Sequence, residues 1–221
     1  AACSRMLGAN RELELAAASS INAFCREHDQ PVVDRAVVLE AEQTPATLLR
    51  GFLTETEMLA IVEVAKIMAN DDVRFASSHV ALNLHRSGTF AAQLPALHQK
   101  LVSSMLLQSQ RRFPNASEKL SVRCVELHSY DVGGGLMQSG HKDHGSVLTL
   151  SVQLSRADEM KGGRLITWDQ AVPREHAMER GDALLFPSLK THNVSPVTHG
   201  CRKSLVVELW RGATNVNNRF A

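Results

Sequence analysis

Residues 181–210, GDALLFPSLKTHNVSPVTHGCRKSLVVELW, decide how this chain folds. Three β-prone runs, Ala183–Pro187, Thr191–Val197 and Ser204–Trp210, follow one another with only turn residues between them. Leucine, valine and phenylalanine dominate the runs, while Gly181-Asp182, Ser195-Pro196 and Gly200 punctuate them. Upstream, the same texture continues through Arg164–Trp168, Val147–Leu154 and Leu120–Tyr130. Many short strands broken by glycine and proline form the pattern of an antiparallel sandwich or jelly roll. Helical periodicity comes before these strands rather than alternating with them, which argues against a doubly wound sheet. The chain therefore reads as α+β or mainly β, with no internal repeat.

The same stretch carries the candidate chemistry. His192 closes a turn after the first run, and upstream lies His141-Lys142-Asp143. These residues read as a strand, where successive side chains alternate faces, so His141 and Asp143 point together while Lys142 points away. Two imidazoles and one carboxylate, with further positions left open, suit ferrous iron. His-x-Asp alone is a weak signal, since such pairs are more often surface or core residues. Arg202 and Ser204 strengthen it. A guanidinium in a strand that continues Leu205-Val206-Val207 needs a partner, and its planar fork matches a carboxylate. Ser204 shares its face. Tyr130, the single tyrosine of the chain, reads as a packed aromatic at a strand end.

In order and approximate spacing, these pieces resemble the prolyl 4-hydroxylase-like family of Fe(II)/2-oxoglutarate dioxygenases. The matching residues are Tyr130 with Gly133-Gly134-Gly135, His141-x-Asp143, Gly162-Gly163, Gly181-Asp182, His192 with Pro196-Val197, and Gly200-x-Arg202. Gly51-Phe52-Leu53-Thr54 looks like the start of such a domain. The resemblance implies a double-stranded β-helix, a jelly roll whose mouth holds Fe(II) on His141, Asp143 and His192. It implies 2-oxoglutarate chelated at iron, with Arg202 on the far carboxylate and Tyr130, Ser204 and Gln153 as further contacts. It also implies O2 as co-substrate, ascorbate as an accessory reductant, and hydroxylation of an unactivated C–H bond coupled to formation of succinate. The substrate expected is a prolyl or other amino-acid residue in a protein or peptide, with a free amino acid or small metabolite as the alternative. Two positions depart from the family pattern: Gln153 stands where many members have tyrosine, and Glu208 where many have tryptophan. The Gly-Gly pair continues as Arg164-Leu165 rather than Glu-Thr.

Earlier in the chain, residues 10–27 carry Leu13, Ala17, Ile21 and Phe24 at helical spacing. Val32–Leu39 reads as a short strand. Thr54 and Glu57 form a capping-box pattern, with Leu53 and Met58 as its staple and Ile61, Val62, Ala65 and Met68 continuing the stripe. A strand is expected at His79–Leu84, within a polar stretch, 70–90, that could cover the substrate. A further helix starts near Pro95 and stops at Pro114. These helices should buttress the sheet, giving residues 1–47 as an N-terminal extension and 48–221 as the dioxygenase domain. His28, His79, His85 and His98 look like scattered surface or core residues, and His144 like an outward-facing neighbour of the motif. Gly133-Gly134-Gly135 reads as a flexible connection.

Composition narrows the partners. With 24 basic and 23 acidic residues among 221, no field attracts nucleic acid or an anionic membrane. No apolar run approaches the ~20 residues of a membrane span. Apolar residues at 44% suffice for a core. The chain reads as soluble, with the cytoplasm favoured. It starts at Ala1, which is consistent with a removed leader. Cys3, Cys25, Cys124 and Cys201 are too scattered for a metal motif. Asn115 and Asn193 open glycosylation-type triplets, the second of them inside the candidate site. Two rival classes remain. A zinc hydrolase could use the same ligands but leaves Arg202 unexplained; a non-catalytic jelly-roll binding module would keep them as vestiges.

Overall fold

The computed structural model describes residues 34–68, 72–76, 78–112, 119–169 and 171–217. The helix expected over 10–27 lies outside them. The first described element is a helix, α1 (Arg35–Gln43), where a strand was expected from the Val37-Val38-Leu39 run. Asp34 explains the difference: its carboxylate accepts from the Ala36 amide and caps the helix, which outweighs the β preference of two valines. Strand β1 (Thr47–Leu49) follows, then α2 (Glu55–Ile67). The capping box at α2 forms as expected, with Thr54 Oγ1 accepting from Glu57 N and Glu57 accepting from Thr54 N. Glu57 also takes both of its oxygens to Lys100 Nζ at 2.8 Å, so one carboxylate caps α2 and ties it to the long helix beyond.

The stretch 70–90 holds a hairpin, β2 (Asp72–Ala76) and β3 (His79–Asn83), the second being the strand expected at His79–Leu84, followed by the short helix α3 (Thr89–Gln93). Helix α4 (Pro95–Arg112) precedes the barrel strands β4 (Ser121–Tyr130) and β5 (Leu148–Gln153). After β6 (Lys161–Gly162) and β7 (Leu165–Asp169) comes an exposed edge strand, β8 (Val172–His176). Then come β9 (Ala183–Pro187), β10 (His192–Val194), β11 (Val197–His199) and β12 (Arg202–Trp210). The run expected as one strand over 191–197 is split at Ser195-Pro196, where proline has no N–H to continue the ladder.

All strand pairs are antiparallel. The major sheet runs β1-β9-β5-β12-β4-β3-β2; a minor sheet, β10-β7-β8, and the pair β11-β6 face it. This is the jelly roll expected, closed on one side by helices. Both faces of the major sheet's central strands β9, β5, β12 and β4 are largely buried, and for opposite reasons. Val125, Leu127, Leu148, Leu150, Val152, Leu205, Val207 and Leu209 point to the helices, where Met58, Ile61, Val64, Leu97, Leu101 and Met105 meet them. Burying Met58, Ile61 and Val64 alone contributes roughly 4–9 kcal/mol before chain entropy is counted. The alternate positions (His79, Glu126, His128, Tyr130, Thr149, Gln153, Arg202, Ser204 and Glu208) are buried polar side chains on the face toward the minor sheet. Period-two alternation thus turns the grease outward and the chemistry inward.

One irregularity matters. Glu208 pairs with Cys124 but Leu209 with Val122, so Arg123 is an extra residue in the ladder, a β-bulge. Val122 joins the helix-side core, while Arg123 turns its guanidinium inside. The glycine-rich connection is fixed rather than flexible. Gly133 N donates to Val197 O, Val197 N donates to Gly134 O, and an added Cβ at Gly134 would lie 2.1 Å from Ser78 O. Gly181, at φ +88°, is packed so closely on Leu53 that an added Cβ would come within 2.5 Å of its carbonyl oxygen. Beside it Asp182 accepts from Arg50, Gly51 N and Glu179 N, which pins β1 to β9. No helix among the described residues is long and apolar enough to cross a membrane.

Candidate active site

His141, Asp143 and His192 converge with their ligand atoms all within 4.8 Å of one another. His141 Nε2 lies 3.5 Å from Asp143 Oδ1, and His192 Nε2 lies 3.5 Å from Asp143 Oδ2. The two imidazole rings stand edge to face, 4.9 Å apart at 82°. Residues 141–143 belong to no strand, contrary to the expectation, yet His141 and Asp143 face the centre together while Lys142 reaches Glu42. Asp143 N donates to Ser188 O and His192 N to His141 O, so backbone bonds join the two ligand-bearing segments.

The hydrogen-bond partners prepare these groups for a cation. His192 Nδ1 faces Lys190 O at 3.0 Å and His141 Nδ1 faces Gln138 Oε1 at 3.4 Å. A carbonyl oxygen only accepts, so each imidazole carries its proton on Nδ1 and presents the Nε2 lone pair to the centre. Thr149 Oγ1 donates to Asp143 Oδ2 at 2.7 Å and fixes the carboxylate. Phe186 covers His192, with ring centroids 4.8 Å apart. This donor set and its tautomers fit Fe(II) held on one face.

The support below the ligands is polar and buried. Ser146 Oγ donates to Glu208 Oε2 at 2.5 Å, and Arg123 Nη1 donates to Ser146 Oγ at 3.0 Å and to His144 O. Glu208, which stands where many relatives were expected to have tryptophan, is fully buried and carries the loop that follows Asp143. Lys142 points away from the triad, as expected, into contact with Glu42, Leu189 O and Thr191 Oγ1. Burial lowers its pKa, and Glu42 opposes that. His144 is half-buried rather than outward-facing; burial, then the Lys142 charge, push it down to about 4.

Arg202 is 1% exposed, and it is the largest fully buried side chain of the described residues. Nη1 donates to Ser204 Oγ at 2.7 Å, whereas Nε and Nη2 have no partner within the protein. Burial pulls its pKa down, and Tyr130 opposes the shift. Two donors of one guanidinium, buried and unmatched, leave a place shaped for a carboxylate. Tyr130 lies across from Arg202 in the β4–β12 register, with the guanidinium carbon 5.5 Å from its ring centroid. Ser204 thus orients the fork. Gln153 uses its amide nitrogen on Ser155 O and Met160 Sδ, and it lines a cavity of about 280 Å3 with Gly163, Leu165, His176 and Met178. Gly163 also packs against Arg202, since an added Cβ would lie 3.0 Å from its Cδ.

Sequence reading missed one inward group. His79, expected as a scattered core or surface histidine, is buried, stacks on Tyr130 at 4.1 Å and reaches His128 Nδ1 at 2.9 Å. His128 Nε2 in turn reaches Glu126 Oε2 at 3.1 Å. The carboxylate accepts from His128 Nε2–H, so His128 Nδ1 accepts from His79 Nε2–H. Burial first, then the charges of His128 and Arg202, push His79 down to about 4, and His141 also acts on it. Glu126, His128 and Tyr130, alternating along one face of β4, were the available signal. Asn193 is buried, with Nδ2 donating to Leu136 O and Gln138 O and Oδ1 accepting from Trp168 Nε1, which makes it a structural residue and no glycan acceptor. Cys201 is a free cysteine.

Comparison with known proteins agrees with this geometry. Residues 125–210 match the model of the 2OG-Fe(II) oxygenase superfamily. A PKHD-type hydroxylase of Idiomarina loihiensis is 26% identical over 136 residues, which cover 60% of this chain and 60% of that relative. A prolyl hydroxylase from Trichoplax adhaerens, solved with a hypoxia-inducible-factor peptide fragment, superposes with a TM-score of 0.60 at 14% identity. That superposition covers 79% of this chain and 87% of the other. HygX from Streptomyces hygroscopicus, solved with nickel and 2-oxoglutarate bound, gives 0.59 at 10% identity over 82% and 88% of the two chains. These two structures share the fold. Over residues 125–210 the chain is thus similar to the 2OG-Fe(II) oxygenase superfamily, it spans about 60% of the length of the PKHD-type hydroxylase it matches, and it shares its fold with a prolyl hydroxylase.

Proposed function

We propose that this chain is a 2-oxoglutarate-dependent dioxygenase that hydroxylates a prolyl or other amino-acid residue of a protein or peptide. The observation that carries the reading is the buried Arg202 fork, two of its donors unmatched, in the same barrel as a His-Asp-His triad. His141, Asp143 and His192 would hold Fe(II) through Nε2, a carboxylate oxygen and Nε2. Iron with 2-oxoglutarate and O2 supplies an oxidant for unactivated C–H bonds, with succinate and carbon dioxide as by-products.

The protein's own residues do the rest. Gln138 and Lys190 O keep the Nδ1 protons in place, so the Nε2 lone pairs stay available. Thr149 holds Asp143 in one rotamer. Arg202 meets the distal carboxylate of the cosubstrate through Nε and Nη2, with Ser204 keeping Nη1 and Tyr130 forming the wall. Leu165, Leu184, Phe186, Val194 and Val197 line the interior and keep water from the reacting atoms. The intact triad and the unmatched fork speak against a vestigial binding module, and a zinc hydrolase would have no use for Arg202.

Similarity to a PKHD-type hydroxylase, and to a prolyl hydroxylase solved with a peptide fragment, supports a prolyl residue of a peptide as substrate. The test is succinate formation from 2-oxoglutarate by Fe(II)-loaded protein, read together with mass spectrometry for +oxygen products over panels of proline-containing peptides and free amino acids. Products on peptides support the reading. Products on free amino acids alone would replace the substrate class, and neither succinate nor bound metal would overturn the activity.

A further inference from the structure

We propose that Glu42 is a positioning residue for the metal centre, holding both of its ligand-bearing segments from behind. The proposal rests on the metal reading above and deepens it. Glu42 lies in the last turn of α1, far outside the 125–210 region that matches the oxygenase family. Its Oε1 accepts from Lys142 Nζ, from Thr191 Oγ1 at 2.6 Å and from Thr191 N at 3.2 Å. Its backbone oxygen accepts from Lys190 Nζ at 2.7 Å. Lys142 stands between His141 and Asp143; Thr191 precedes His192; and Lys190 O holds the Nδ1 proton of His192. One residue therefore grips a neighbour of every candidate ligand.

The charges explain why a carboxylate is needed there. The side chains of Lys142 and Lys190 are 3% and 0% exposed, so two ammonium groups are buried behind the centre. Asp169 Oδ1 answers Lys190 at 2.7 Å, and Glu42 answers Lys142. Removing the Glu42 carboxylate leaves the Lys142 ammonium with only neutral acceptors, Leu189 O and Thr191 Oγ1, near a like charge. The segments carrying His141, Asp143 and His192 then lose their common anchor. The triad would loosen although no ligand had been touched. Helix α1 also packs against β7, the strand paired with β10, so the extension backs the segment that bears His192.

Co(II) serves as the probe, because its visible bands report ligand geometry independently of turnover. Parent protein, Glu42→Gln and Glu42→Ala are titrated with Co(II), and folding is checked by circular dichroism. Outer supports of metal ligands are typically worth 10–100-fold in affinity, and Glu42 acts through peptide neighbours, so Glu42→Ala should lose about tenfold and shift the bands. Glu42→Gln, which still offers an acceptor to Thr191, should fall between. Parental affinity and band positions in a folded Glu42→Ala protein would overturn the proposal. Should that variant fail to fold, Glu42→Gln and Thr191→Val, each removing part of the grip, decide it on the same two measures. Parent protein that takes up no Co(II) would overturn the metal reading itself, and the proposal with it.

Discussion

Replacing Arg202 with methionine should make the cosubstrate-free protein more stable and cosubstrate binding far weaker. The side chain is 1% exposed, Nη1 alone is matched, and Nε and Nη2 have no partner. A buried charge without its counter-ion opposes folding, and exchange of buried ions for apolar groups of similar size is often stabilising by about 1–4 kcal/mol. Methionine keeps most of the length, still packs on Tyr130 and Gly163, and leaves Ser204 Oγ short of one donor, a loss of roughly 1 kcal/mol. The net gain should be about 1–2 kcal/mol, a few degrees in Tm for a domain of this size. Binding moves the other way. A dicarboxylate whose far end enters this interior without a cation loses about 3–5 kcal/mol, a hundredfold or more in affinity. Calorimetry on the protein without cosubstrate reads the first effect. Anaerobic titration of 2-oxoglutarate into Fe(II)-loaded protein, followed by its visible charge-transfer band, reads the second. A variant that is less stable and binds 2-oxoglutarate as tightly as the parent would show that the guanidinium serves the fold, not the cosubstrate.

Three further outcomes are expected. Asp143→Ala should keep the fold but weaken Fe(II) binding by more than about a hundredfold and abolish succinate formation; full activity at stoichiometric iron would refute the triad. Stability of the metal-free protein should fall with acid: His79 titrates at about 4 when folded, below its ordinary 6.5, so the unfolded chain takes up the proton first. Stability present above pH 6.5 is therefore lost as pH falls toward 4, at no more than about 1.4 kcal/mol per pH unit for one group. Urea denaturation across that window checks it, and His79→Gln should flatten the slope. Gly134→Ala would place a methyl 2.1 Å from Ser78 O and should cost about 1–3 kcal/mol in the same assay. An unchanged midpoint would mean that the turn yields freely.

The triad and Arg202 could be read from sequence because their spacing is set by local rules: alternation along extended backbone, and turn residues that bring strands back. The capping box of α2 was legible for the same reason, since its partners lie three residues apart. What could not be read depends on register between distant strands. His79 faces Tyr130 only because β3 pairs with β4, and Glu42 reaches Lys142 and Thr191 across a separation of 100 residues or more. Strand β8 was missed because its five residues, mostly exposed, show no apolar alternation. In α1 the local β preference of Val37 and Val38 points to a strand, whereas the Asp34 cap makes the segment a helix.

The extra residue in β4 separates shape from chemistry in an unusual way. Loss of an amino acid from a central strand normally throws every later side chain onto the wrong face. Here, deletion of Arg123 would let Val122 and Cys124 follow one another in a regular ladder opposite Leu209 and Glu208. The barrel could close as before, yet Ser146, His144 O and Glu208 would lose the guanidinium that gathers them beneath the metal loop. A shortened chain of this kind would be a well-folded jelly roll with a slack centre. A single-residue gap at this point in a related sequence would therefore mark the loss of a support under the centre rather than the loss of a fold.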